Sequence, residues 1–178
     1  MRKHNGMRPQ DIVVLLKIIA LGKKEWQNKD LAQSLYISGS EISEALNRNQ
    51  LAGLIDFNKK KVNRQSLFEF LEHGLHYVFP QFPGAMANGI PTAHGHPFMK
   101  ELFNSDLIYV WPDFSGEVRG LTIDPLYPNQ IKAVKDDLRL YKLLALVDVI
   151  RVGRTREFEI AIAELHKIIL NEPSGQFA

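Results

Sequence analysis

Residues 28–48 read Asn28-Lys29-Asp30-Leu31-Ala32-Gln33-Ser34-Leu35-Tyr36-Ile37-Ser38-Gly39-Ser40-Glu41-Ile42-Ser43-Glu44-Ala45-Leu46-Asn47-Arg48. Leu31, Ala32 and Leu35 are spaced as one face of a short helix over 28–35. The pattern breaks at Tyr36-Ile37. Ser38 and Glu41 then form an S-x-x-E capping box, in which each side chain satisfies an unpaired backbone N–H at a helix start. Ile42, Ala45 and Leu46 face inward on this second helix, and Gly53 stops it at about Ala52. Leu54-Ile55-Asp56-Phe57, an Asn58-Lys59-Lys60 tip and Lys61-Val62 predict a small β-hairpin. Asn63 caps a further helix to about Val78, with Leu67, Phe70, Leu71 and Leu75 inward.

Helix, tight turn, capped helix and hairpin follow the plan of a winged helix-turn-helix. Ala32 lies where two helices cross closely, and the outer face of the second helix is left to Ser40, Ser43, Glu44, Asn47 and Arg48. A helix of that kind fits the major groove of B-DNA. The stretch 31–43, with the Leu51-Ala52-Gly53-Leu54-Ile55 approach to the hairpin, resembles winged-helix transcriptional regulators of the MarR-like kind. The resemblance covers about residues 9–79. It departs at Tyr36, where a glycine is usual, and in a short hairpin whose basic content is Lys59-Lys60-Lys61. It implies duplex DNA binding. In that case Ser40, Ser43, Glu44 and Asn47 face base edges: Asn pairs with adenine and Glu accepts from cytosine. Arg48, Lys59, Lys60, Lys61 and Arg64 contact phosphates, and Ser38 with the N–H groups beside it meets another.

Outward from this unit, Ile12, Leu15, Leu16 and Ile19 make 9–22 a helix, started by Pro9 and stopped by Gly22. It is apolar almost all round, with little polar relief beyond Asp11 and Lys17. Either another element or a second chain must cover it. Residues 79–105 are punctuated by proline and glycine, yet carry Phe79, Phe82, Ile90 and Phe98, so an irregular but packed segment is expected. Leu107–Trp111 and Glu117–Thr122 read as the two arms of a second hairpin about Asp113-Phe114-Ser115-Gly116. The last third is a helical pair. One helix is capped by Asn129 or by Asp136-Asp137 and reaches Arg151. The other spans about Thr155–Leu170, beyond Gly153, and Pro173-Ser174-Gly175 is a frayed tail.

Of the 178 residues none is cysteine, which excludes disulfides, thiolate metal sites and cysteine nucleophiles. The longest apolar run, Ile12–Leu21, is ten residues and contains Lys17. A membrane span needs about 20, and the basic Met1-Arg2-Lys3-His4 start leads to no small-residue cleavage site. A cytoplasmic protein with neither span nor signal peptide is expected. Residues 1–80 hold twelve Lys and Arg against eight Asp and Glu, and residues 81–178 hold ten against twelve. The positive surplus at the N-terminal end favours an anionic partner there.

Phosphate-loop, nucleophile-elbow and metalloprotease motifs are all missing, so no enzyme is expected. His73 and His76, with His94 and His96, are better read as histidines bonded to backbone than as a metal set. Arg151 suits a helix C-terminus, whereas Arg154 and Arg156 have no such local reason. The expected fold is mostly α with a small β wing. It divides into a winged helix-turn-helix over 1–79, an irregular cover with a hairpin over 80–128, and a helical pair over 129–178 for dimerisation or partner binding. The expected function is transcriptional regulation by a DNA-binding homodimer without cofactor or metal. The alternative is a protein-binding adaptor, such as the partner subunit of a neighbouring enzyme or toxin.

Overall fold

In a computed structural model, which describes residues 6–102, 105–153 and 155–171, the apolar helix of the N-terminal end becomes the centre of the protein. This helix, α1 (Pro9–Leu21), buries every residue from Asp11 to Ala20. It packs on α2 (Asn28–Leu35), α3 (Gly39–Leu51) and α8 (Leu138–Val152). The chain covers its own apolar helix, so the need for a second chain over 9–22 disappears. Asp11 and Lys17 are both buried. Lys17 Nζ donates to Asp137 Oδ2 at 2.6 Å, which ties α1 to the start of α8.

After α3 come α4 (Arg64–His73) and α5 (Leu75–Val78), separated at Gly74. The segment between α3 and α4 is less than the expected hairpin: Ile55 and Val62 form a single antiparallel bridge. Asp56 explains why. Its Oδ1 accepts the N–H groups of Lys60 and Lys61 at 2.7 and 2.9 Å, curling the tip into a side-chain-bonded turn before a ladder can extend. These N–H groups, Lys61 first, hold the Asp56 carboxyl below its usual range.

The expected irregular cover contains three strands: β1 (Met86–Thr92), β2 (Tyr109–Pro112) and β3 (Val118–Thr122). Between β1 and β2 lies α6 (Pro97–Leu102). The two arms expected to form a second hairpin are not an antiparallel pair. β1 is the antiparallel neighbour of both later strands, with Thr92 opposite Tyr109 and Met86 opposite Leu121. β2 and β3 run parallel, Tyr109 opposite Leu121, and close the sheet on itself. Closure at this size requires glycine. A Cβ on Gly89 would lie 2.0 Å from the Trp111 carbonyl oxygen, and one on Gly116 would lie 2.4 Å from Gly89. The residue that breaks the sequence pattern of a strand is therefore the one that permits this sheet.

The last third resolves into α7 (Gln130–Lys135), α8 and α9 (Thr155–His166). Asn129 and Asp137 precede different helices. Asp137 Oδ1 accepts the Leu140 N–H at 2.9 Å and caps α8. Gly153 ends α8 with φ of 55°, as its position in the sequence suggested. Arg154 and the 173–175 tail lie outside the described residues. One apolar core runs without interruption from Ile12 to Ile169 and joins the first helices to the last. The protein is thus mostly helical with a small mixed three-stranded sheet. Among the described residues no helix is long and apolar enough to cross a membrane.

His96 is buried against α8. Its ring meets that of Tyr141 edge-on at 4.2 Å, and its Nδ1 accepts the Phe98 N–H at 3.2 Å, which only a ring unprotonated at that nitrogen can do. Burial, with Lys142 adding to it, pushes the imidazole down to about 4. A base whose folded pKa is depressed contributes its stability above the unfolded value near 6.5 and loses it as pH falls through about 4. Urea midpoints of the wild type are expected to fall across this window, the loss approaching roughly 3 kcal/mol. His96→Gln should flatten that acid limb, and an unchanged limb would show that His96 does not carry it.

Candidate nucleic-acid interface

The geometry of α2 and α3 is set by the residue that departs from the regulator pattern. Tyr36 adopts φ 55° and ψ 40°, the left-handed conformation that favours glycine. The Ile37 N–H then reaches back to the Ala32 carbonyl at 3.1 Å and closes α2. Two side chains from the far end of the chain hold this turn. Tyr127 Oη donates to the Leu35 carbonyl at 2.9 Å, and Asn129 Nδ2 donates to the Tyr36 carbonyl at 2.9 Å. Burial pushes the Tyr127 hydroxyl up, so it stays a donor. A left-handed L-residue costs about 1–2 kcal/mol, and glycine returns part of that through its looser unfolded state. Tyr36→Gly is therefore expected to stabilise the fold by roughly 0.5–1 kcal/mol in urea unfolding. Destabilisation would mean that the half-exposed ring packs for more than its backbone costs.

Ser38 caps α3 as expected, its Oγ accepting the Glu41 N–H at 3.2 Å. The capping box is only half made, because Glu41 turns away. Its carboxylate accepts from Arg48 Nη2 at 2.6 Å, from Gln10 Nε2 at 2.5 Å and from Arg8 Nη1 at 3.3 Å. Ile42, Ala45 and Leu46 are buried beneath, as their spacing required.

Five of the expected phosphate contacts are engaged within the protein, Lys60 on Trp26 among them. Arg48 departs furthest from the expected exposed cation. It is buried, and its Nε and Nη2 grip both oxygens of the buried Asp11 at 2.8 and 2.7 Å. The Asp11 hydrogen bond raises the guanidinium pKa above an already high value, against burial, and Arg48 cannot serve as a surface cation. Arg64 also turns inward, Nη1 donating at 2.7 Å to the carbonyl of Ile169 in the segment Lys167–Asn171 that continues α9. Ser38 spends its acceptor on the cap. Lys59 donates to Asn47 Oδ1 across the two elements. Lys60 and Lys61 are exposed.

The base-reading set is brought together. Ser40 and Glu44 are exposed, and Ser43 and Asn47 are half-buried, all on the side of α3 away from the core. Ser43 Oγ accepts from Asn28 Nδ2 at 3.3 Å, which places the start of α2 beside this face. Two features went unread in the sequence. One is the apolar end of the face, where Leu51 is 66% and Phe57 87% exposed. The other is the connection after Gly22, where Trp26 takes Lys60 Nζ both on its carbonyl at 3.2 Å and 4.3 Å over its ring. The signal for the second was present in the run Lys23-Lys24-Glu25-Trp26.

The histidines are dispersed. His76 Nδ1 lies 3.2 Å from the Arg151 carbonyl, His73 sits beside Glu72, and His94 packs against Tyr109. No group of three or more His, Asp or Glu side chains converges among the described residues. Comparison of the chain with protein-family models, with curated proteins and with solved structures finds no match in any of the three.

Proposed function

We propose that this protein binds double-stranded DNA as a transcriptional regulator, in a winged helix-turn-helix manner, with α3 entering the major groove and the 54–62 turn alongside. The observation that carries this reading is the two-sided character of α3. Its inner side is tied down by Ile42, Ala45, Leu46 and the Arg48–Asp11 pair, while Ser40, Ser43, Glu44 and Asn47 share the open side. Polar groups on a rigid exposed helix are what direct readout uses. Of the expected phosphate contacts, Lys60 and Lys61 are the exposed cations, and they contribute affinity without sequence information. A homodimer belongs to the same proposal, because one reading helix contacts a single half-site and such modules pair across half-sites one helical turn apart. Solution mass with and without duplex reads this out.

Asn47 is the residue with most to reveal. It holds Lys59 through Oδ1, which leaves its amide N–H groups to face an acceptor on a base edge. Asn47→Ala should cost about 1–3 kcal/mol on a selected site and little on random duplex, with stability nearly unchanged. Equal losses on both DNAs would remove the readout role. The exposed Leu51 and Phe57 favour the second reading, an adaptor whose partner is a protein. A folded chain that binds no duplex at low salt would select it.

A further inference from the structure

Beside the α3 face, the connection after α1 and the segment entering α4 enclose a cleft of about 880 Å³. Lys23, Lys24, Lys60, Lys61 and Arg64 line it, against the carboxylates of Glu25 and Asp30. Asp30 is already committed, its Oδ2 accepting the Gln27 N–H at 2.8 Å at the start of α2. Lys23 and Lys24 are exposed and make no ion pair among the described residues. Ile18 and Ile19 contribute apolar walls. Cations gathered over low-dielectric walls focus a positive potential, and their mutual repulsion falls when an anion enters. The cleft is linked to the α3 face through the 59–60 turn. Lys60 is locked onto Trp26, and its neighbour Lys59 is bonded to Asn47.

We propose that this cleft is a phosphate-binding site that takes the sugar–phosphate backbone of duplex flanking the groove read by α3. The source of the phosphate rests on the DNA reading above. The site itself rests on the cleft and its charge. Lys23 and Lys24 then extend the footprint beyond the α3 contact, with Trp26 as the wall between the two surfaces.

The chain contains two tryptophans, and Trp111 is fully buried, so ligand-dependent change in emission reports Trp26. Full-length protein is titrated with a duplex just long enough for the α3 contact, with one extended by about 10 base pairs, and with tripolyphosphate. The longer duplex is expected to bind tighter and to alter Trp26 emission, a signal absent in Trp26→Phe. Lys23→Gln with Lys24→Gln should abolish the length advantage and lower the log–log salt slope by about two, leaving sequence preference intact. Tripolyphosphate that perturbs Trp26 through these lysines, without any duplex binding, would keep the site, assign it to a free phosphate ligand and overturn the DNA reading alone. Duplex binding that depends on Asn47 but ignores duplex length, Lys23 and Lys24 would overturn the cleft and leave the DNA reading standing. Silence of Trp26 toward both ligands overturns the site.

Discussion

Arg48→Ala is expected to cost about 3–5 kcal/mol of folding stability, seen as a lower urea midpoint at unchanged slope. The variant strips the buried Asp11 of a two-pronged partner held at 2.8 and 2.7 Å. It also removes a 2.6 Å donor from Glu41, leaving that carboxylate to Arg8 and Gln10. Removing one member of a buried pair leaves the desolvation cost of the other uncompensated, so the loss exceeds the net worth of the pair. Replacing both members tests this mechanism. Asp11→Leu with Arg48→Met should recover much of the loss, because similar volume is kept and no charge is stranded. The double variant should also retain the wild-type salt slope on duplex DNA, since Arg48 faces α1 and not solvent. A slope reduced by about one would return Arg48 to the phosphate contacts.

Asp148→Ala is expected to do comparable damage, about 3–5 kcal/mol, at the other end of the core. Asp148 Oδ2 accepts from Thr92 Oγ1 and from Trp111 Nε1, each at 2.7 Å, and Oδ1 accepts from Arg151 Nη1 at 2.8 Å. Burial pushes this carboxyl up from its ordinary range, while Arg151 and the two neutral donors oppose that push. Alanine would strand the Thr92 and Trp111 donors and leave the buried Arg151 charge without its carboxylate. Arg151 also donates to the carbonyls of Phe79 and Asp124, so it pins both ends of the segment holding the small sheet. Amide exchange at Phe79, Gln81 and Asp124 should therefore rise in Asp148→Ala beyond the change in the α2 and α3 amides. Uniform change across the protein would show that the network does not hold this segment separately.

These two networks mark the limit of what local pattern conveys. The helices 9–21, 28–35 and 39–51 were legible almost to the residue, because an apolar stripe with a cap and a stop is written within one stretch of chain. Gly53 and Gly153, both at positive φ, were legible for the same reason. The strand 86–92 was not, because Gly89 and Pro91 are poor strand residues in isolation. Only the close approach of Trp111 makes glycine a requirement at 89. The arms 107–111 and 117–122 had strand-forming residues, but their common partner, 86–92, lies well upstream beyond an intervening helix, and nothing adjacent to them announces it.

The candidate interface divides along the same line. That Ser40, Ser43, Glu44 and Asn47 share a side of one helix follows from helical spacing and the inward pull of Ile42 and Leu46, so sequence alone was sufficient to group them. Whether a cation beside them is available to a ligand depends on where the nearest carboxylate or carbonyl lies after folding. Arg48 found Asp11 across 37 positions and Arg64 found Ile169 across 105, while Lys23 and Lys24 came to border a cleft with Lys60 and Lys61. Periodicity is a property of neighbours along the chain. The fate of a charge is decided by neighbours in space, because the cost of desolvating it is met only by whatever group the tertiary fold places against it.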